Sequence, residues 1–467
     1  MNENTIFQSP SEISKPDVPV NSPIFPPVSE ELSAASSPSK FFKILKILLG
    51  TVIVLAVIFI SINFVLPKFF QTRTNNVTLS YWGLWEEGST MSPIIADFER
   101  ENPNIRIIYS KQDIKEYKER LIVRANNGNG PDIFKFHNSW VSQLPDILLP
   151  LPDSVITKED FIKNYYPVIK SDLIRAGAIY GIPLQIDTLN LYVNKDIFEA
   201  AGLKPPASWI DFMNYSRQLT VKDENNNIKT AGTAMGTYGN ITHAPDIISL
   251  LFVQSGVDLA DISSSLQAVS DALKFYSSFA LPPGNVWDNT FDQSIKVFAS
   301  GSLAMYFGYF RDYATIKSIN PNLAFNIYPV PNLPDQNGTS ASYWAEGVSA
   351  KNKNQKEALL FLKYLARKET AQKLFQEQLK TRDFGEPYAR TDLADSLKSS
   401  VIYPFVSSAP FAVSSLFADD TFDSGLNSQM NARLNIAVDS ILKGTSPQSA
   451  AEALSTGVLS VLKQYGL

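Results

Sequence analysis

The chain has 467 residues, of which 44% are hydrophobic and 12% aromatic, and its formal net charge is -5. This length and composition are enough for at least two packed cores. There is no cysteine, which excludes disulfide scaffolds, zinc ribbons and thiol nucleophiles. No block of lysine or arginine stands out, so nucleic acid is not expected as a partner.

The N-terminal part divides into a polar segment and an apolar one. Residues 1–40 are rich in serine, proline and glutamate, and this composition predicts a disordered tail. The run from Ile47 to Leu66 carries no charge, and twenty such residues suffice to cross a bilayer. We therefore expect a single transmembrane anchor within 41–68, in contact with lipid through 44–66. A cleaved signal peptide fits less well, because the run is long and no small-x-small cleavage site follows it.

The charges that flank this run predict its orientation. A weak excess of basic residues precedes it, which places the N-terminus in the cytoplasm and the bulk of the chain outside the membrane. Residues 69–76 then form a short linker. The basic residues in question are Lys40, Lys43 and Lys46 before the run and Lys68 and Arg73 after it.

From Val77 onward, strand and helix patterns alternate. VTLSYW is a short apolar run, and the next helix has apolar residues at i, i+3, i+4 and i+7 from Met91. IRIIY and PDIFKF are two further strands, separated by a helix over 113–126. This order predicts a parallel sheet with right-handed crossovers, whose ligands bind at the carboxyl ends of the strands. The stretch WGLWEE lies at such an end.

The remainder of the chain continues this α/β pattern and becomes helical toward its end. The segment 221–240 is polar and predicts a hairpin or surface loop. The other predicted elements are a strand over 188–194, a helix from Lys195, a helix capped by Ser208, one long amphipathic helix over 355–379, a helix over 428–443 and a last helix opened by Ser446-Pro447.

Signatures of metal sites and of catalysis are sparse. His137 and His243 are the only histidines. ADDTFDSG (418–425) lacks the glycine and glutamate of a calcium loop, so we interpret it as an acidic surface turn. His137 follows a strand end and could touch a ligand, although a structural role is the more usual one. We predict no catalytic residue, metal or cofactor, but a glycosidase-like carboxylate pair stays open.

Aromatic residues give the stronger functional signal. They fall mostly at predicted strand ends and loops, several of them beside acids, where their faces could form a carbohydrate platform. Core packing is the alternative for any one of them. They are Trp82, Trp85, Trp140, Trp287, Tyr309, Tyr343 and Trp344.

Five motifs in order resemble the sugar-binding family of extracellular solute-binding proteins of ABC importers, which includes the maltose-binding protein. The motifs are LSYWGLWEEGSTMSPIIADFERENPNIRI, GNGPDIFKF, YGIPLQIDTLNLYVNKDIFEAAGLKPPASWIDF, FASGSLAMYFGYF and SYWAEGVSAKNKNQKEALLFLKYLARKETAQKLF. Together they cover essentially all of 77–467.

The resemblance implies an α/β, two-lobed periplasmic-binding-protein-like fold with a cleft between the lobes. Lobe one would comprise 77–184 and about 346–400, and lobe two 185–345 and about 401–467. Such lobes close around a ligand by hinge motion, and an importer permease recognises the closed form.

Carried over by position, the resemblance implies eight ligand-binding residues. They are Trp82, Trp85, Glu86, Asn138, Asp187, Tyr309, Trp344 and Glu346. The function expected is that of a membrane-anchored, non-enzymatic receptor that binds a carbohydrate and delivers it to ABC importer permease subunits. A lectin or adhesin, or an enzyme using Glu86 and Asp187, are the alternatives. The acidic WEEG loop also leaves a cationic or amino sugar open.

Overall fold

The computed structural model describes residues 40–65 and 76–467, and side chains within 44–63 and 76–467. Residues 1–39 of the predicted tail over 1–40, and all but the last residue of the predicted linker, lie outside the described residues. The chain divides into two units, Met1–Thr74 and Asn75–Leu467. The first unit holds helix α1 (Lys40–Ile60), which continues into a π-helical turn, Ser61–Val65. Within it, Ile44–Asn63 is long and apolar enough to cross a membrane, and its side chains are not buried by protein.

The second unit is built from short strands and helices. Its strands are β1 (Val77–Gly83), β2 (Ile105–Lys111), β3 (Ile133–His137), β4 (Ile174–Arg175), β5 (Ala178–Ile179), β6 (Ile182–Pro183), β7 (Asn190–Asn194), β8 (Val221–Lys222), β9 (Ile228–Thr233), β10 (Leu303–Gly308), β11 (Phe325–Tyr328), β12 (Thr339–Ser340), β13 (Trp344–Val348) and β14 (Ala412–Val413). Its helices are α2 (Gly88–Glu101), α3 (Tyr117–Asn126), α4 (Lys158–Asn164), α5 (Pro167–Leu173), α6 (Lys195–Ala201), α7 (Trp209–Gln218), α8 (Ala244–Gln254), α9 (Leu266–Ser277), α10 (Ser294–Ala299), α11 (Phe310–Ile319), α12 (Gln355–Leu365), α13 (Lys368–Gln378), α14 (Tyr403–Ser408), α15 (Leu426–Leu442) and α16 (Pro447–Gln464).

Two five-stranded sheets form the centres of two lobes. The first has the order β2-β1-β3-β13-β6, and β1 runs parallel to β2 and β3 as predicted. The second has the order β11-β7-β10-β9-β8. Strands β3, β7, β10 and β13 are buried along their whole length, and the polar residues that three of them contain are buried as well.

Three passages of the chain connect the two sheets, and they are hydrogen-bonded to one another. The first leads from β6 to β7, the second from β12 to β13, and the third runs through β14. Asp187 accepts a bond from the Ser342 amide across 3.0 Å, and Ser340 accepts one from Leu189 across 2.9 Å. Val413 accepts a bond from the Ala341 amide across 3.0 Å. The connecting passages thus form a hydrogen-bonded strip between the lobes, while the lobe boundaries given above stay a prediction.

Helix starts follow the sequence signals. The Asn194 side chain accepts the Ile197 amide at the start of α6, and the Ser208 hydroxyl accepts the Asp211 amide at the start of α7. The last helix begins at Pro447 behind a Ser446 cap, as predicted.

The single helix expected over 355–379 is wrong, because the chain breaks between α12 and α13. Arg367 adopts an extended conformation and precedes the first residue of α13. Two side-chain hydrogen bonds hold the broken turn. The Arg390 guanidinium donates to the Ala366 carbonyl across 2.9 Å, and the Thr370 hydroxyl donates to the Tyr364 carbonyl across 2.7 Å.

The acidic surface turn expected at 418–425 is also wrong, since much of it is buried. Asp423 pairs with Lys118 of α3 across 2.8 Å, and the two side chains are 0% and 6% exposed. The Lys118 ammonium also lies 5.1 Å from the centre of the Trp140 ring. The segment therefore fastens the start of α15 to the first lobe.

Lys118→Met should destabilise the protein by about 3–5 kcal/mol, because it leaves the Asp423 carboxylate buried without its counter-ion. The double variant Lys118→Met/Asp423→Leu should recover most of that loss. Chemical denaturation checks both values. Lys195→Met, which breaks an exposed pair with Glu199, is the control and should cost little stability. If Lys118→Met and Lys195→Met lower the free energy of unfolding equally, the account is contradicted.

Candidate functional site

A cavity of about 500 Å³ lies between the lobes, where strands of the first sheet end. It is lined by Lys135 and Trp344 of the first sheet, by α11, by the loops after β1 and α13, and by the first two connecting passages. The aromatic members of its wall are Trp85, Phe310, Tyr313, Tyr343, Trp344 and Phe384, and the charged members are Lys135, Asp187, Arg311, Lys317, Arg382, Asp383 and Glu386.

The loop after β1 brings Trp85 to the cavity. β1 ends at Gly83, and a Cβ there would lie 2.1 Å from the Tyr109 hydroxyl, so only glycine fits. The Tyr109 hydroxyl passes over this glycine and donates to the Glu86 carbonyl across 2.6 Å. The loop that carries Trp85 is thereby tied to the neighbouring strand β2.

The indole of Trp85 lies edge-on to that of Trp344, with ring centres 5.5 Å apart. Trp344 in turn packs on the buried Trp140, 5.1 Å away, and on His137, 5.3 Å away. Trp85 is half-buried, whereas Trp344 is 7% exposed. Trp344 is therefore anchored in the core, and Trp85 projects from it into the cavity.

Tyr313 and Phe384 form a second aromatic contact at the cavity wall. Tyr313 belongs to α11 beside the second sheet, and Phe384 follows α13, which packs on α2 of the first lobe. Their ring centres are 5.4 Å apart. This contact joins the two lobes across the cavity wall.

The acidic doublet after Trp85 does not face the cavity with free charge, contrary to the expectation for the WEEG loop. Glu86 is 2% exposed; it pairs with Arg382 across 2.8 Å and accepts a bond from Gln378 across 2.8 Å. Glu87 is exposed and pairs with Lys111 across 2.5 Å. The doublet is neutralised by residues that are distant in sequence.

The other buried acid of the first lobe, Glu346, lies beneath the cavity wall. Its carboxylate is 2.9 Å from the Lys135 ammonium, and both side chains are buried. Burial alone would lower the pKa of Lys135, but the Glu346 carboxylate outweighs burial and raises it. Lys135 lines the cavity, and the Glu346 carboxylate compensates its charge.

Asp187 and Arg311 form the floor on the second-lobe side. The Phe310 amide donates to the Asp187 carboxylate across 2.9 Å. Burial raises the pKa of Asp187 to about 8, although Arg311 opposes that shift. The Arg311 guanidinium pairs with Asp420 across 2.5 Å and lies 4.9 Å from the centre of the Tyr309 ring.

Three predicted residues lie away from the cavity and have partners of their own. Trp82 is half-buried against Tyr117, with ring centres 6.2 Å apart. Asn138 donates to Ser414 across 2.8 Å and accepts the Tyr343 amide across 3.2 Å. The fully buried Tyr309 donates to Asp246 across 2.7 Å. Of the eight predicted residues, the cavity is lined by Trp85, Asp187 and Trp344.

His243, Asp246 and Asp419 present potential metal-ligand atoms within 4.8 Å of one another. Both nitrogens of His243 are already engaged, by Asp312 across 2.8 Å and by Asp419 across 3.1 Å. Burial would lower the pKa of His243, but the adjacent Asp312 carboxylate outweighs it and raises that pKa. Because carboxylates already engage both ring nitrogens, we interpret this cluster as an ion network. For His137, burial lowers the pKa to about 3, and the ring stays neutral between Ser139 and Ser342.

Sequence reasoning missed several cavity residues. Arg311 directly follows the GYF of a recognised motif, where the aromatic residues drew the prediction. Arg382, Phe384 and Glu386 lie in TRDFGEP, just after the helix that ends the last of the five motifs. The alternation of charges beside a glycine and a proline was the available signal for a structured loop.

The fold and the cavity define a class, the two-lobed α/β binding proteins. The sequence pattern of the bacterial extracellular solute-binding proteins matches residues 82–372. The chain belongs to this family.

Relatives and solved structures agree with that assignment. A multiple sugar-binding protein of Streptococcus mutans is 24% identical over 347 residues, which are 70% of this chain and 80% of the relative. A solute-binding protein of Thermotoga lettingae bound to α-D-tagatose has a TM-score of 0.64 at 21% identity, over 82% of this chain and 99% of its own. The GacH receptor of Streptomyces glaucescens, solved with acarbose, has a TM-score of 0.64 at 19% identity, over 83% and 99%. At these identities the structures show the shared fold.

Asp187→Asn should change how stability depends on pH. An aspartate in the unfolded chain titrates near pH 4, whereas Asp187 in the fold has a pKa of about 8. Ionising it therefore costs the folded state stability as pH rises from about 4 to 8. The melting temperature of Asp187→Asn minus that of the wild type should therefore become larger from pH 5 to pH 8. The exposed Asp153→Asn is the control, and a pH-independent difference for Asp187→Asn would contradict the assignment.

Proposed function

We propose that this protein is a membrane-anchored receptor that binds an uncharged carbohydrate, most simply an oligosaccharide, in the cavity between its lobes and delivers it to an ABC importer. The observation that carries the proposal is the combination of indole walls with charges that are already compensated. The relatives named above, whose names or bound ligands indicate carbohydrates, support the same ligand class.

The aromatic walls suit a sugar ring. Trp85 presents an amphipathic ring to the cavity, and such faces pack against the CH-rich faces of sugars. Gln185, Ser342 and the guanidinium of Arg311 lie around it and offer hydrogen bonds to hydroxyls. A volume of about 500 Å³ lies within the range usual for small-ligand sites.

The charges favour an uncharged ligand over the cationic sugar left open by the sequence. Lys135 faces Glu346, Arg382 faces Glu86, and Arg311 faces Asp420. At the rim, Lys317 donates to the Leu323 carbonyl across 2.9 Å, and Asp383 is exposed. A cationic ligand would find no buried carboxylate that is free of a partner, apart from Asp187, whose raised pKa keeps it largely protonated near neutral pH.

The proposal is of binding without turnover. The enzymatic alternative would require Glu86 and Asp187 to act together as a carboxylate pair. Glu86 is held by Arg382 and Gln378, so it is poorly placed to act as an acid or base. Incubation with oligosaccharides should leave them intact, and hydrolysed products would contradict the proposal.

Delivery to an importer would use hinge motion and the anchor. The hydrogen-bonded passages are the natural hinge, and a ligand can drive closure only by binding the closed state more tightly. Ile44–Asn63 has 20 residues, about 30 Å of helix, which matches a bilayer core. A chain held at the membrane by it would stay close to a permease and gain effective concentration.

A ligand panel tests the solute class. Neutral oligosaccharides should raise the melting temperature of the full-length protein in detergent, because binding to the folded state stabilises it by mass action. Amino sugars and polyamines should raise it less. If the cationic solutes alone shift the transition, the neutral-ligand proposal fails; if no carbohydrate does, the sugar assignment fails.

Trp85→Ala should weaken binding of the best ligand by about 10- to 100-fold, as expected for loss of a stacking surface worth about 1–3 kcal/mol. Its melting temperature should change little, because Trp85 lies at the edge of the aromatic cluster. Isothermal titration measures the affinity.

Two variants serve as comparisons. Trp82 lies outside the cavity, so Trp82→Phe should leave the affinity for carbohydrate unchanged. Trp344→Ala should instead destabilise the fold by about 3–5 kcal/mol, since its ring is packed in the core. A large stability loss in Trp85→Ala without loss of affinity would show that Trp85 is a core residue only.

A further inference from the structure

A second cavity, of about 350 Å³, lies between α5 and α14 and shares no lining residue with the first. We call it the α5–α14 pocket. It is bounded by the α4–α5 junction with Tyr165 and Tyr166, by the 3-10 helix Thr391–Leu397, and by one face of α14. The proposed function leaves it without a role.

Two lysines at this pocket carry positive charge that is not compensated. Lys163 and Lys170 line it, and neither ammonium is paired with a carboxylate among residues 76–467. The acids on the adjacent 3-10 helix are engaged elsewhere: Asp392 pairs with Arg390 across 3.0 Å, and Asp395 with Lys398 across 2.9 Å. The pocket thus differs in charge from the cavity between the lobes.

A tyrosine hydroxyl in the same wall lacks a partner. Tyr166 is 2% exposed, and in the described part of the chain its hydroxyl makes no hydrogen bond. Burial raises the pKa of Tyr166, so the group remains a donor at any physiological pH. A buried polar group without a partner is unfavourable unless something binds to it.

We propose that the α5–α14 pocket is a second ligand site, which binds a small organic anion, a carboxylate or a phosphate ester, through Lys163, Lys170 and the Tyr166 hydroxyl. The two ammonium groups supply charge-assisted hydrogen bonds to the anionic group. The tyrosine hydroxyl donates to a further oxygen. Pro167, Val406 and Pro410 supply an apolar wall for the rest of the molecule.

The pocket is placed to communicate with the connecting passages. α14 is seated beside β7: the Phe405 carbonyl accepts the Thr188 hydroxyl across 2.9 Å, and Ser408 donates to Asn190 across 3.2 Å. α5 belongs to the first-lobe side of the same pocket. An anion held there would touch elements attached to both lobes.

The test uses the full-length protein in detergent and three probes at matched ionic strength: inorganic phosphate, glucose 6-phosphate and citrate, with glucose as the uncharged counterpart. Isothermal titration measures affinity, and reductive methylation with mass spectrometry reports the accessibility of each lysine. At least one anion should bind and protect Lys163 and Lys170 while leaving Lys158, exposed on α4, as reactive as before.

Variants assign the site. The double variant Lys163→Gln/Lys170→Gln should weaken binding of that anion at least about 10-fold. Tyr166→Phe should weaken it about 3- to 10-fold, as for loss of one hydrogen bond. Tyr166→Phe should not lower the melting temperature without anion, because the hydroxyl that it removes has no partner. Lys158→Gln and Trp85→Ala should bind the anion normally.

The proposal is overturned if none of the three anions binds. It is equally overturned if binding survives the double lysine variant, or if Trp85→Ala abolishes it, which would place the anion in the cavity between the lobes. These outcomes leave carbohydrate binding untouched, since that is measured with uncharged sugars.

Discussion

The arrangement of the extracytoplasmic unit depends on the strip of backbone hydrogen bonds at which three passages of the chain meet. Asp187 and Ser342, whose backbones are bonded to each other, both line the cavity. The same strip leads directly into Trp344 at the start of β13. Because the lobes are joined here, residues from 185–187 and 342–344 reach the cavity whatever the angle between the lobes. A hinge and a binding floor are thus made of the same few residues.

The second constraint is electrostatic. Buried charges are tolerated only when they are paired, and the charges of the cavity wall follow this rule. Some partners, such as Glu346 and Glu86, are not among the lining residues, whereas Glu386 lines the cavity and pairs with Arg382 across 2.7 Å. Lys135 is backed by Glu346, and Arg382 by Glu86. The wall keeps the hydrogen-bonding capacity of charged groups while presenting little net charge. This suits a ligand rich in hydroxyls and explains why an acidic loop sequence does not imply a cationic solute.

Much of the fold could be predicted from the sequence, because strand and helix periodicities and caps are local. The parallel order of β1, β2 and β3 and the caps at Asn194 and Ser208 followed from such patterns. Trp85, Asp187 and Trp344 were predicted from their positions in motifs that resemble a known family, and all three line the cavity. Residues whose role depends on a distant partner could not be placed: Glu86 is neutralised by Arg382, 296 residues later, and Asp423 is buried by Lys118, 305 residues earlier.

The central claim is that solute binds between the lobes and draws them together about the connecting strip. The chain has no cysteine, so Ile319→Cys/Lys380→Cys places two spin labels uniquely, on exposed residues next to the cavity and on opposite lobes. Pulsed electron paramagnetic resonance on the full-length protein then measures the distance between them. A saturating carbohydrate ligand should shorten the mean distance and narrow its distribution. An unchanged distribution, with binding verified on the same sample, would contradict the account.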